Sequence, residues 1–149
     1  MREAEELALA ALARREHSRR ELERKLAARG LDDSAVAAAL DDLVSRGLQD
    51  DGRFAVSYVR VRAGKGFGPR RIVMELRERG IDAATASAAC AAAETDFATL
   101  AHSVRERKFH RLPQSLPERA KQTRFLEYRG FEAAHIRHAL GQTRDDEDY

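Results

Sequence analysis

Arg29-Gly30-Leu31-Asp32 returns as Arg79-Gly80-Ile81-Asp82 and as Arg129-Gly130-Phe131-Glu132, so one tetrad occurs three times at a fixed spacing of 50 residues. A cation in the last helical turn, a glycine that can adopt a positive φ and an apolar residue that folds back are typical of the end of a helix. The acid that follows can accept hydrogen bonds from the first N–H groups of another helix. The tetrad therefore predicts three equivalent points at which one helix ends and the next begins.

The positions around the tetrad also correspond at the same offset, and most of them are apolar. The matching sets are Leu22, Ile72 and Gln122; Leu26, Leu76 and Leu126; Val36, Ala86 and Ile136; Ala39, Ala89 and Ala139; Leu40, Cys90 and Leu140. Residues four apart share a helix face, so each repeat has stripes that other helices must cover. Ser18 with Glu21 and Ser115 with Glu118 have the spacing of capping boxes, which open helices.

These patterns predict an all-α protein of three tandem three-helix repeats, about nine helices in an elongated, curved arrangement. The repeats are expected at residues 1–50, 51–94 and 95–142. The segment 143–149 is acidic and lacks apolar periodicity, which predicts a disordered tail.

Composition narrows the class of protein. Apolar residues make up 43% of the chain and aromatic residues 6%, which favours many small contacts over one thick core. No run of eighteen apolar residues and no basic leader region is present, so we expect a cytoplasmic protein without a membrane segment. The single cysteine, Cys90, excludes a disulfide framework, and its helical position predicts a core residue.

Positive charge concentrates in the middle of the chain. Arg60, Arg62, Lys65, Arg70 and Arg71 form a run with no acidic residue between 52 and 74. Arg70 and Arg71 follow Pro69, which suits the first position of a helix, and cations there oppose the helix dipole. Such a run attracts polyanions, although a solvated surface balanced by nearby acids would explain the charge alone equally well.

The sequence shows no set of side chains whose spacing is typical of an enzyme active site. The five histidines are scattered, and His135 and His138 are better explained as solvated helical residues than as metal ligands. Gly64-Lys65-Gly66-Phe67-Gly68 follows a predicted helix and lacks the ending of a P-loop, so we expect a tight turn. The sequence predicts no enzyme, no metal and no cofactor.

Several ordered motifs together resemble the RecX family of RecA regulators, over about residues 8–140. They are Leu12 to Leu22, Lys25-Leu26 and Gly30; Asp51, Arg53-Phe54-Ala55, Tyr58-Val59-Arg60, Gly66, Gly68 to Ile72, Glu75-Leu76 and Arg79-Gly80-Ile81; and Arg124-Phe125-Leu126 with Arg129-Gly130-Phe131. The resemblance implies a helical-repeat protein that binds the RecA filament on single-stranded DNA. It also implies that the protein inhibits the recombinase, ATPase and coprotease activities of RecA.

We expect such a protein to act as a monomer on the RecA nucleoprotein filament, with single-stranded DNA and also double-stranded DNA as candidate contacts. The candidate DNA- or filament-binding residues are Arg14, Arg15, Arg19, Arg20, Arg60, Arg62, Lys65, Arg70, Arg71, Arg105, Lys108, Lys121 and Arg124. Two alternatives remain open: a helix-turn-helix-like DNA-binding regulator that acts without RecA, and a helical-repeat scaffold. Base-sequence preference would favour the first, and a lack of salt-dependent DNA binding would favour the second.

Overall fold

In the computed structural model, residues 2–141 are described, and they form nine α-helices and no strand. The helices are α1 (Arg2–Arg14), α2 (Arg19–Ala28), α3 (Asp33–Ser45), α4 (Asp51–Gly64), α5 (Pro69–Glu78), α6 (Ala83–Ala92), α7 (Phe97–Phe109), α8 (Leu116–Tyr128) and α9 (Ala133–Ala139). This confirms the predicted class and the number of helices. The predicted tail at 143–149 lies outside the described residues, and the exact repeat boundaries stay a prediction.

The repeated tetrad ends α2, α5 and α8 in the same way. Gly30, Gly80 and Gly130 have φ of +79°, +85° and +96°. The N–H of the apolar residue after each glycine donates to the carbonyl of Leu26, Leu76 or Leu126, at 3.3, 3.0 and 3.1 Å. These are the back-folded helix ends that the sequence predicts.

The acids of the tetrad begin the next helices. Asp32 accepts from the backbone N–H groups of Ser34 and Ala35, and Asp82 accepts from that of Thr85. In the third copy, the backbone N–H of Glu132 donates to Nδ1 of His135 at 3.3 Å. The predicted box at Ser18 is complete: its Oγ accepts from the N–H of Glu21, and its own N–H donates to the Glu21 carboxylate.

Contacts between Cα atoms divide the chain into two units. Unit 1 comprises the chain up to Tyr58 together with Glu75–Ala89, and unit 2 comprises Val59–Met74 together with the chain from Cys90 onward. Helices α4, α5 and α6 therefore each contribute residues to both units. The apolar cluster of unit 1 is Ala4, Ala8, Ala11, Leu22, Leu26, Val36, Ala39, Leu40 and Leu43. Four of these nine are alanines, so the helices that contribute them approach closely.

Within unit 1, the start of α2 lies on the end of α5. The hydroxyl of Ser18 donates to the carbonyl of Arg79 at 2.8 Å, while the same oxygen caps α2. Gly80 lies against Arg20: a Cβ at Gly80 would come within 2.6 Å of the Arg20 Cβ. The glycine of the second tetrad is therefore required by a close approach as well as by its positive φ.

Within unit 2, the start of α5 lies on the end of α8 in the corresponding way. The N–H of Gly68 donates to the carbonyl of Arg129 at 2.8 Å, and that of Arg70 donates to the carbonyl of Gly130 at 2.9 Å. The contact between positions 18 and 79 in unit 1 corresponds to the contact between positions 68 and 129 in unit 2, because each position is shifted by 50 residues. The sequence repeat is thus also a repeat of tertiary contacts.

The positions that correspond between repeats are both apolar and buried, with two exceptions. Gln122 replaces an apolar residue and is only 4% exposed, and its side-chain amide donates to the Arg111 carbonyl at 3.2 Å. Cys90 is half-buried where a core residue is predicted, and burial raises the pKa of its thiol. Among the described residues, no helix combines the length and the apolar character needed to cross a membrane.

We expect Gly130→Ala to destabilise the protein more than Gly30→Ala. Both changes place a side chain at positive φ, which costs about 1–2 kcal/mol. Only at Gly130 would the new Cβ also meet backbone, 2.6 Å from the Arg71 nitrogen, whereas Gly30 has nothing within 4 Å. The added cost of shifting the backbone should be about 1–3 kcal/mol in urea unfolding followed by circular dichroism. Equal losses for the two variants would contradict the close approach.

We expect the protein to lose stability in mild acid because of the buried His17. It is 3% exposed, and because the carbonyl of Arg15 can only accept, Nδ1 carries the proton of their 3.0 Å hydrogen bond. Burial lowers the pKa of His17, so as pH falls the unfolded chain protonates the second ring nitrogen, Nε2, before the folded chain does, near the ordinary pKa of about 6.5. The free energy of unfolding should therefore fall as pH drops from about 6.5 toward the folded-state pKa.

The measurement is unfolding by urea between pH 7.5 and 5.5, above the range in which the carboxylates titrate. His17→Gln, which keeps a side-chain N–H, should flatten the dependence on pH in this window. The exposed His138→Gln is the matched control and should keep it. A slope that persists in a folded His17→Gln protein would exclude His17 as its cause.

Candidate nucleic-acid interface

The glycine-rich segment ends α4 and turns the chain back, as the sequence predicts. Gly66 has φ of +88°, and the N–H of Phe67 donates to the carbonyl of Arg62 at 3.2 Å. This turn places the Phe67 ring beneath the Arg62 guanidinium, whose central carbon lies 4.0 Å from the ring centroid. The turn therefore orders both an aromatic ring and a cation of the basic run.

Two further guanidinium groups reach the same ring. Those of Arg71 and Arg129 lie 4.6 and 4.9 Å from the Phe67 centroid. We call Arg62, Arg71 and Arg129 the arginine cluster. Each cation–π contact contributes roughly 0.5–1 kcal/mol at an exposed site, but three positive charges around one ring also repel each other. Three guanidinium groups at one ring make this cluster a candidate contact for an anionic partner.

The position of Arg71 in the first turn of α5 has an explanation inside the protein. Its guanidinium lies 5.2 Å from the Tyr128 ring centroid and 3.5 Å from the Tyr128 carbonyl oxygen, at the end of α8. Carbonyl groups at a helix C-terminus carry partial negative charge, which offsets the opposing dipole of α5. Arg70, by contrast, is exposed. Arg70 is therefore the stronger candidate of the two for an external anion.

The other predicted basic residues of unit 2 mostly reach the surface. Arg60, Lys65, Lys108, Lys121 and Arg124 are all exposed. The carbonyl of Lys65 accepts from Nη1 of Arg129 at 3.2 Å, which leaves the Lys65 ammonium for other contacts. Unit 2 thus presents exposed cations from α4, α5, α7 and α8 in addition to the arginine cluster.

Arg105 is buried, although it is one of the predicted DNA- or filament-binding residues. It is 3% exposed, and its Nε and Nη1 atoms are buried without a hydrogen-bond partner among the described residues. Its place in the α7 pattern, four residues after the buried Ala101 and one after the buried Val104, puts it on the inner face of that helix. A side chain buried in this way cannot reach a large partner, so we remove Arg105 from the candidate surface.

The predicted arginines of unit 1 are engaged with acids or with packing. Arg19 lies 2.7 Å from Asp41, and Arg15 lies 3.3 Å from Glu21. Arg20 packs its aliphatic carbons on Gly80, and Arg14 is exposed at the end of α1. Exposed ion pairs are weak, yet they neutralise charge that a polyanion would otherwise meet. Among the predicted candidates, the exposed cations that form no ion pair with an acid of the described residues therefore lie mostly in unit 2.

The sequence analysis did not identify several basic residues of unit 2 that the structure adds to the candidates. Arg107, Arg119 and Arg129 are absent from the candidate residues, and Arg129 enters the sequence analysis only through the helix-ending tetrad and the family motif. Arg70, Arg119 and Arg137 line a cavity of about 300 Å³ in unit 2. The available signal was the alternation of cations with aromatic residues at Arg124-Phe125 and Tyr128-Arg129, a pattern typical of nucleic-acid binding. The described residues include no cluster of His, Cys, Asp or Glu placed to hold a metal.

Comparison with known families matches nearly the whole described chain. Residues 4–43 match RecX, first three-helix domain; residues 50–89 match RecX, second three-helix domain; and residues 94–140 match RecX, third three-helix domain. The three matches follow the helix groups α1–α3, α4–α6 and α7–α9.

Relatives named Regulatory protein RecX are similar over most of their length. The protein from Xanthomonas axonopodis pv. citri is 49% identical over 133 residues, which cover 89% of this chain and 82% of the relative. That from Halorhodospira halophila is 44% identical over 142 residues, covering 95% of this chain and 88% of the relative.

Solved structures share the fold. The crystal structure of RecX from Lactobacillus salivarius has a TM-score of 0.76 at 26% identity, covering 93% of this chain and 92% of that one. A second crystal structure, titled regulatory protein RecX, has a TM-score of 0.79 at 23% identity and covers 95% of this chain and 72% of its own.

Replacing Arg60, Lys65 and Arg70 together by Ala should weaken binding to single-stranded DNA. Each lost phosphate contact lowers the slope of log affinity against log salt by about 0.7, so three should lower it by roughly 2. The measurement is fluorescence anisotropy of a labelled oligonucleotide at several salt concentrations, with circular dichroism to confirm folding. The matched control removes three exposed cations of unit 1, Lys25, Arg29 and Arg77. Equal slopes for the two triple variants would remove this surface from the DNA contact.

Proposed function

The chain belongs to the RecX family, and from this we propose that it is a regulatory protein that binds the RecA filament on single-stranded DNA and inhibits RecA. The inhibited activities are recombination, ATP hydrolysis and the coprotease function. The protein acts in the cytoplasm as a monomer, without catalysis of its own. The family match supports the regulatory role, and the basic surface of unit 2 supports the nucleoprotein partner.

The observation that carries the proposal is the arginine cluster in a unit that also presents exposed cations on four helices. A nucleoprotein filament is a polyanion, and cations held on an aromatic ring meet it with less loss of side-chain freedom than isolated flexible ones. Arg60, Lys65 and Arg70 are exposed for phosphate contact, while Arg71 and Arg129 are already fixed by contacts to α8 and Lys65.

Inhibition requires no catalytic group in this mechanism. A protein that binds one state of a filament more tightly than another shifts the population toward that state by its difference in affinity. If the chain binds where RecA monomers would add, growth stops at that end and the number of ATP-hydrolysing monomers falls. Binding along the filament groove would instead affect only the monomers that each chain contacts.

We expect the protein to slow RecA ATP hydrolysis on single-stranded DNA at much less than one chain per RecA monomer, since blocking one growing end affects many monomers. The measurement is steady-state ATPase against the ratio of the two proteins. The Arg60, Lys65 and Arg70 triple Ala variant should inhibit less, and the Lys25, Arg29 and Arg77 triple variant should inhibit as the natural chain does.

A need for nearly equimolar protein would favour binding along the groove over blocking of ends. An unchanged ATPase rate at saturating amounts would contradict inhibition. If the chain also preferred particular duplex sequences in the absence of RecA, the helix-turn-helix-like DNA-binding regulator would replace the present proposal.

A further inference from the structure

A second basic feature of unit 2 is a cavity of about 190 Å³ that is open to solvent. Its lining includes four cations, Lys65, Arg107, Lys108 and Arg129, and two apolar side chains, Val104 and Phe125. Within residues 2–141, no carboxylate lines it. Since Arg129 also belongs to the arginine cluster, the cavity and the cluster share one cation.

The backbone keeps this cavity open. Gly66 forms part of its wall, and a Cβ there would lie 3.1 Å from Cγ2 of Val104. Because Gly66 also has a positive φ, a larger residue would be strained and would fill the space between the turn and α7. The concave shape therefore depends on the same turn that orders Phe67.

Phe125 forms the aromatic wall and is itself held in place. Its ring meets Phe109 nearly edge to face, with centroids 5.5 Å apart and an interplanar angle of 88°. The Lys108 ammonium and the Arg129 guanidinium lie 5.5 and 5.3 Å from its centroid. The half-buried ring thus presents a fixed apolar surface bordered by positive charge.

Two chemical features are combined here. Four cations in a concave site, with no carboxylate from the described part of the chain in its lining, favour an anion, because the walls reduce the screening of the charges. An aromatic ring beside them adds a surface on which a planar group can stack.

We propose that this cavity binds one unstacked nucleotide of a single strand. The ammonium groups of Lys65 and Lys108 and the guanidinium of Arg107 bind the phosphate, and the base lies against Phe125 beside Arg129. In a duplex the bases are paired and stacked, so only single-stranded nucleic acid can fill both parts of the site. The inference rests on the proposed function only in that the protein meets single-stranded DNA, and it assigns the selection of single strands to a defined pocket.

The test compares three labelled ligands by fluorescence anisotropy with the full chain and no RecA: dT12, a dodecamer of abasic sites with the same phosphates, and a twelve-base-pair duplex. We expect dT12 to bind at least about fivefold more tightly than the abasic strand, which is the lower bound for stacking of one base on an aromatic ring.

Two variants separate the parts of the site. Phe125→Leu keeps an apolar side chain against Phe109 and should abolish the preference for dT12 while leaving the affinity for the abasic strand unchanged. Arg107→Ala with Lys108→Ala should weaken both strands by the same factor and flatten their dependence on salt. Lys25→Ala with Arg29→Ala removes two exposed cations of unit 1 and should change neither strand relative to the other.

Equal affinities of the natural chain for dT12 and the abasic strand would overturn the nucleotide pocket, whether or not any variant folds. So would a preference for dT12 that survives in a folded Phe125→Leu protein. The proposed function fails by a different result, namely an unchanged RecA ATPase rate, so the two failures can be told apart.

Discussion

The hydrogen bond from the N–H of Gly68 to the carbonyl of Arg129 is the contact on which the rest of unit 2 depends. A Cβ at Gly68 would lie 2.5 Å from the backbone of Gly130, so the two chain segments approach as closely as backbone allows. The start of α5 is therefore hydrogen-bonded to the turn that ends α8. It also points the Arg129 guanidinium toward Phe67 and Phe125, which connects a structural contact directly to the basic surface.

The corresponding contact in unit 1, between Ser18 and Arg79, has a different electrostatic outcome. Arg79 lies 4.8 Å from the Tyr58 ring and 3.8 Å from Glu21, so its positive charge faces an acid. Arg129 occupies the same place in the third repeat, but the residue corresponding to Glu21 is Arg71. One substitution between repeats therefore replaces an ion pair of unit 1 by part of a cation cluster in unit 2, on the same helix frame.

Much of the fold could be predicted because its signals are local. A glycine at positive φ, a serine or aspartate at a helix start and an apolar residue every three or four positions act over a few residues, and each occurs more than once at the same offset. Gln122 shows the limit of this reasoning. The amide is buried at an apolar position, where its nitrogen donates to the Arg111 carbonyl and its oxygen has no partner among the described residues. The Arg111 partner is not visible in the helix pattern.

The sequence by itself determined the helices, the positions where they end and the concentration of positive charge in the middle of the chain, because these follow from short-range propensities and from composition. Only the tertiary structure decided which cations lie close together and which are buried or paired. Arg105 is buried, Arg19 is paired with Asp41, and Arg129 joins Arg62 and Arg71 at one ring although at least 58 residues separate it from either. The direction and neighbours of a long side chain depend on how distant helices pack, and no local pattern encodes that arrangement.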